Sequence, residues 1–312
     1  MTSDRIDLTG ATTHFLRTEG PRGFLLKFVL AYAAASLVLQ AAGLWTQAPI
    51  YELYLRAFTE NDGDFSPYLD EMNAHAMRAN LGSLLLLPFS LGIWVIFEAA
   101  SQRRYIRADG FSLKLGADEG RLAVVGLIWF ALLIAGYFAL VIGAVLPGMI
   151  AGLMAGAVAG VAVGGVILLA GMIAALFLFA RLSPAASLTI RDRQIRFFES
   201  WNLTKGYGWS LAGSYFALFA VFTLISLVLY GALFFIGYAL VAPALESSAG
   251  SGTAEAVLGA MAQPAFWAPM TLVILLVLMV FGVFAHALGG PAAWMVRQNS
   301  FQGGTAITET FG

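Results

Sequence analysis

Charged residues stand far apart in this chain, and the intervals between them define its elements. Stretches without Lys, Arg, Asp or Glu run between Lys27 and Glu52, Arg78 and Glu98, Arg121 and Arg181, Lys205 and Glu246, and Glu255 and Arg297. About 20 apolar residues suffice to cross a bilayer as a helix, so each interval holds at least one crossing. The third is too long for one and contains Leu146-Pro147-Gly148. Proline lacks a backbone donor and glycine tolerates a turn, so this tripeptide predicts a tight helical hairpin. The pattern predicts six transmembrane helices at about 24–45, 79–100, 121–146, 150–180, 208–242 and 266–296. The fold class expected is therefore an all-α polytopic integral membrane protein. A membrane domain, 24–296, is flanked by tails 1–23 and 297–312. The first tail is polar and mixed in charge, and the run from Phe24 to Trp45 has full spanning length. It reads as a retained first helix rather than a cleavable signal peptide.

Composition agrees with a membrane setting. Hydrophobic residues make up 60% of the chain and charged residues only 11%, with mean hydropathy +0.82. Soluble globules carry about 25% charged residues, so too little charge remains here to face water all round. The net charge of −1 gives no reason to expect a nucleic-acid partner. With no cysteine there is no disulfide, thiolate nucleophile or cysteine-ligated metal.

The basic residues are strongly one-sided. With six crossings, 15 of the 17 Lys and Arg fall in the N-terminal segment through Lys27, the 98–121 arm, the 181–206 arm and the C-terminal tail, leaving Arg56 and Arg78 opposite. The positive-inside rule then predicts that both termini and both arms are cytoplasmic. The outer 46–78 segment carries Glu52, Glu60, Asp62, Asp64, Asp70 and Glu71. Ile50, Tyr51, Leu53, Tyr54 and Phe58 suggest a short amphipathic helix there, and Asn61-Asp62-Gly63-Asp64 a turn. Ser66-Pro67 is suited to starting a second helix. A calcium loop is disfavoured because the twelve-residue pattern with a closing Glu is missing.

Gly148, Gly152, Gly156, Gly160 and Gly164 recur at intervals of four. Placed on the fourth helix, they form a groove without side chains that lets another helix approach closely. Packing within the hairpin, an oligomer interface and a pore-lining surface are the alternatives. Apart from Lys27 and Glu98 near the cytoplasmic helix ends, His286 is the one Asp, Glu, Lys, Arg or His within a span, and it is expected to hydrogen-bond to a neighbouring helix, since catalysis would require partners. No acid or base lies deep in the membrane, which argues against proton-coupled transport. HExxH, GxSxG and Walker patterns are absent. No enzymatic activity and no cofactor are expected.

The two arms hold the remaining signals. In 98–121, Tyr105-Ile106, a turn at Ala108-Asp109-Gly110 and alternating Phe111–Leu115 suggest a β-hairpin. Asp118 and Glu119 suit the start of the third helix. In the second arm, Ser183-Pro184 breaks the fourth helix. Helical projection then groups Ile190, Phe197, Phe198 and Trp201 opposite Asp192, Arg193, Arg196 and Glu199, which predicts an interfacial amphipathic helix. Arg181, Arg191, Arg193, Arg196, Phe197, Phe198, Trp201 and Lys205 are accordingly the candidate contacts to anionic lipid or to a protein partner. The simpler alternative is that these charges only set topology.

Arg181-Leu182-Ser183-Pro184-Ala185-Ala186 followed by Phe198-Glu199-Ser200-Trp201-Asn202-Leu203-Thr204-Lys205-Gly206 and Trp209 resembles a signature of bacterial inner-membrane proteins of the YciC type. It is also similar to the membrane domain of some glycerophosphoryl diester phosphodiesterases. Leu115-Gly116-Ala117-Asp118-Glu119 with Arg121 resembles a second signature of alphaproteobacterial members. The resemblance implies a multi-helix domain of the bacterial inner (cytoplasmic) membrane and no settled activity. The chain has no room for a soluble phosphodiesterase domain. The expected role is a non-enzymatic unit that interacts with membrane lipids or acts as a scaffold, with a protein partner or a homo-oligomer as further possibilities. The alternative is a channel or transporter for a neutral or lipid-like solute.

Overall fold

The computed structural model describes residues 8–61, 63–247 and 253–299. The remainder of both tails, Asp62 of the outer turn and part of the 243–265 loop lie outside the described residues. The helices are α1 (Leu8–Thr13), α2 (Phe24–Glu60), α3 (Leu69–Arg107), α4 (Ala117–Ala155), α5 (Ala157–Leu182), α6 (Ala185–Asp192), α7 (Glu199–Leu203), α8 (Gly208–Ser247), α9 (Thr253–Met261) and α10 (Pro264–Leu288). Residues 290–299 continue as helix after a turn at Gly289. Among the described residues, six helices are long and apolar enough to cross a membrane, so the all-α, six-span architecture read from the charge pattern is the one observed.

The helices are longer than the apolar intervals that announce them. At 1.5 Å per residue, α4 extends about 58 Å, whereas the hydrocarbon core of a bilayer is about 30 Å thick. Once a helix has formed, each further turn satisfies its own backbone groups, so it continues past the charge that marks the bilayer edge. Three corrections follow. The outer amphipathic helix is not separate, because Ile50 to Phe58 continue α2 through Pro49. The 98–121 arm holds no β-hairpin: Tyr105 and Ile106 finish α3, and 108–116 form no strand. The tight hairpin lies not at Leu146-Pro147-Gly148 but at Gly156, with Pro147 inside α4.

That last correction redistributes the glycine ladder. Gly148 and Gly152 belong to α4, Gly160 and Gly164 to α5, and Gly156 joins the helices at φ +90°, where an L side chain is strained. The ladder folds back on itself about Gly156. A Cβ built on Gly160 would lie 2.7 Å from the Gly148 carbonyl oxygen and 3.0 Å from Gly152 Cα. A Cβ on Gly148 would lie 3.0 Å from the Gly160 carbonyl and 3.4 Å from Gly164 Cα. The groove is thus filled by its own hairpin, the first of the three alternatives.

The chain divides into two compact units. The first comprises the described residues of Met1–Arg22, Val95–Ala220 and Ala285–Gly312, and the second Gly23–Trp94 and Val221–Phe284. Apart from Lys27, every described residue counted on the basic side belongs to the first unit, and the acidic 46–78 segment belongs to the second. Within the second unit, α9 packs on α2, burying Thr253, Ala254 and Val257 with Leu53 and Ala57. Within the first, Ala99, Leu122, Val125, Ala185, Ala186, Ile190 and Phe197 form one core cluster. The apolar window of α5 is 0% buried and that of α8 only 6%. In water such faces would aggregate; against lipid tails they carry no penalty.

Candidate functional site

The site is built on the second arm, α6 and α7 with the chain between them. Pro184 opens α6 after Ser183 ends α5, and α6 stops at Arg193, whose φ of 56° reverses the chain. The returning strand is pinned where the Arg196 backbone N–H donates to the buried Thr189 hydroxyl at 3.2 Å. The arm is therefore two short helices around a left-handed turn, not the single interfacial helix expected from projection. The reversal carries Phe197 inward. Its ring is 2% exposed, packed with Ile190 and edge-on to Trp129 at 5.6 Å. Phe197 is a core residue and is withdrawn as a lipid or partner contact. Phe198 (67% exposed), Trp201 and Trp209 do present their rings outward.

Arg181 also has a different role from the one expected. Its Nε donates to Thr204 Oγ1 at 2.8 Å and its Nη2 to the Trp201 carbonyl, while its guanidinium lies 4.0 Å from the centre of the Trp201 ring. Thr204 in turn donates to the Ser200 carbonyl at 2.9 Å. Arg181, some twenty residues from Ser200, Trp201 and Thr204 in the signature, joins them in one tie between α5 and α7. Arg181→Lys removes the planar fork. The expected loss is about 1.5–3 kcal/mol of stability, typical of hydrogen bonds to a charged group. Thermal melts in detergent would register it, while Arg193→Lys, at an exposed position, should melt as wild type does.

The first arm is joined to the second in the same way. Arg103 pairs with Glu119 in the interior, where their side chains are 1% and 3% exposed. Glu119 also accepts the Gly116 N–H at 3.0 Å, closing the first turn of α4. Arg107 binds Asp118 at 2.7 Å and donates to the Ile190 carbonyl of α6. Arg104 reaches the N-terminal segment at Thr18 Oγ1, 3.2 Å away. The sequence assigned Asp118 and Glu119 to the helix dipole. Arg121 pairs with Asp118 on the same helix at 3.0 Å, but Arg103 and Arg107 lie on α3 and leave no local pattern.

A polar cluster lies beneath the arms. His286 Nδ1 is 2.7 Å from Ser101 Oγ of α3, the neighbouring-helix partner the sequence asked for. Tyr105 stacks on His286 at 4.6 Å and donates to its backbone carbonyl, and His14 stacks on the Tyr105 ring at 5.4 Å. Ser187 donates to Gln102 Oε1 at 2.6 Å, and Gln102 donates to Glu98 at 2.8 Å. Among the described residues, no three His, Asp or Glu are grouped to hold a metal.

His14 gives this cluster a pH dependence. Burial, reinforced by the Arg297 charge, lowers its pKa from 6.5 to about 4, and its buried Nε2 has no hydrogen-bond partner among the described residues. Unfolded chain therefore takes up the proton first. The contribution of neutral His14 is complete above pH 6.5, is lost as pH falls to about 4, and changes no further below. Melting temperature plotted against pH should show this slope in wild type. The difference from His14→Phe should change only within that window; parallel curves would rule the assignment out.

With these ties accounted for, the cations of the second arm fall into two sets. Arg193 and Lys205 are exposed and, among the described residues, make no ion pair. Arg191 and Arg196 share Asp192 and Glu199 around a shallow concavity with Leu188 and Leu203. No protein-family model matches this chain, and it matches neither a curated protein nor a solved structure.

Proposed function

We propose that this chain is a non-enzymatic, multi-pass protein of the bacterial inner membrane whose second basic arm engages phospholipid headgroups on the cytoplasmic face. The inner-membrane placement follows from the signature resemblance, and the orientation from the distribution of Lys and Arg. One observation carries the lipid reading. The exposed rings of Phe198, Trp201 and Trp209 occur on the same short segment as Arg193 and Lys205, exposed cations that make no ion pair among the described residues. Exposed aromatic rings beside cations suit the bilayer interface, where the rings lie at headgroup depth and the cations meet phosphate. The pore-lining reading loses its support, because the glycine groove is occupied within the α4–α5 hairpin.

Each basic residue near an anionic surface contributes about 1 kcal/mol. Arg193→Ala with Lys205→Ala should therefore weaken retention of acidic lipid about 30-fold, two such contributions converted at 1.4 kcal/mol per decade. Quantifying lipids that copurify with the wild-type and double-variant proteins in mild detergent tests this directly. Equal acidic-lipid retention would show that these charges set topology and nothing more.

A further inference from the structure

The concavity between α6 and α7 has a charge pattern that the lipid reading does not use. It holds about 280 Å³, with Leu188 and Leu203 as apolar lining and Arg191, Asp192, Arg196 and Glu199 around them. At about 30 Å³ per water this is space for about nine water-sized groups. Two cations face two carboxylates, so the lining is neutral as a whole yet divided in sign.

The pairs differ in tightness. Arg191 Nε is 2.7 Å from Asp192 Oδ1. Arg196 is held more loosely, 3.7 Å from Asp192 and 3.3 Å from Glu199, with Gln194 accepting at 3.4 Å. Arg191 grips Asp192 through two bonds, at 2.7 and 3.2 Å, whereas the partly exposed pairs of Arg196 are worth about 0–1 kcal/mol and an incoming group separates them at little cost. A simple anion entering here would gain two guanidinium groups but leave two carboxylates facing it. A group bearing a phosphate and a primary ammonium offers each half of the lining a charge of opposite sign and leaves the site neutral. Its phosphate oxygens would accept from Arg191 and Arg196, in the forked geometry guanidinium provides, and its ammonium would donate to Asp192 and Glu199. Phe198 and Trp201, exposed on the same segment, would hold the concavity at headgroup depth.

We infer that the α6–α7 concavity binds the headgroup of a zwitterionic aminophospholipid, with the arginines taking the phosphate and the carboxylates taking the ammonium. This rests on the proposed lipid reading and adds a headgroup class and a site separate from Arg193 and Lys205.

The test uses the full chain in nanodiscs or mild detergent, with retained lipid read by native mass spectrometry. Phosphatidylethanolamine, phosphatidylcholine and phosphatidylglycerol of matched acyl chains are supplied in turn, with free phosphoethanolamine as a separate arm. Wild type should retain phosphatidylethanolamine about ten-fold over phosphatidylcholine, whose methylated ammonium cannot donate. Asp192→Asn with Glu199→Gln should abolish that preference and favour phosphatidylglycerol. Arg191→Gln with Arg196→Gln should lose site-bound lipid of every class. Phosphoethanolamine should compete only weakly if the occupant is a lipid; equal competition would overturn a lipid occupant in favour of the free metabolite. Wild type without a phosphatidylethanolamine preference, or a carboxylate variant that keeps it, overturns the headgroup assignment. If Arg193→Ala with Lys205→Ala still loses acidic lipid in that case, the broader lipid reading survives. If neither the arginine pair nor that variant alters retention, both fail.

Discussion

Glu119→Leu, with Arg103 left in place, is expected to destabilise the protein by about 3–5 kcal/mol, the cost of an uncompensated charge in an interior position. Among the described residues Arg103 then keeps one hydrogen bond, to the Ser112 carbonyl at 3.1 Å, with the Asp118 carboxylate nearby, and the Gly116 N–H loses its acceptor at the start of α4. The informative comparison is Arg103→Met with Glu119→Leu. Replacing both ions with apolar groups removes the pair and its desolvation penalty together, so the double variant should melt well above the single one. A double variant as unstable as Glu119→Leu would mean that the pair is a minor feature of a site sensitive to any change. These melts also test whether the two arms form one folded element, since Arg107 and Asp118 adjoin the pair and reach α6 at Ile190.

Gly160→Val should have the second largest effect. Its Cβ alone would sit 2.7 Å from the Gly148 carbonyl and 3.2 Å from the Gly152 nitrogen. These are backbone atoms of a facing helix and cannot rotate away, so the hairpin must separate. A cost of about 3 kcal/mol, the upper end for overpacking, is expected, together with loss of monodisperse protein in detergent. Gly165→Ala is the control, because a Cβ there meets nothing within 4 Å. It should be neutral or stabilise by about 0.5–1 kcal/mol through lower backbone entropy in the unfolded chain. If both variants behave alike in thermal melts, close packing across the hairpin is refuted.

The spans were legible in the sequence because uncharged length is what a bilayer requires. The position of the hairpin was not, because Pro147 imitates a turn while in fact lying inside α4. A stronger signal was present: Gly148 and Gly164, and Gly152 and Gly160, are equidistant from Gly156. A ladder meant for a foreign helix has no need of such symmetry. One folding onto itself pairs its own rungs. The second arm was legible in composition but not in shape. Projection assumed an unbroken helix, whereas Arg193 takes a left-handed conformation, so Phe197 turns into the core while Phe198 faces out. The ties of Arg103, Arg107 and Arg181 span helices and leave no local pattern. A count of arm charges therefore overstates how many are free to meet lipid.

The lipid reading requires the second arm to face the cytoplasm, opposite the acidic segment around Glu60. The chain has no cysteine of its own, so single cysteines report position without background. Lys205→Cys and Glu60→Cys, both at exposed positions, would be treated with a membrane-impermeant maleimide in intact spheroplasts and in inverted vesicles. Labelling of Lys205→Cys only in inverted vesicles and of Glu60→Cys only in spheroplasts is the predicted result; labelling of Lys205→Cys in intact spheroplasts would contradict the account.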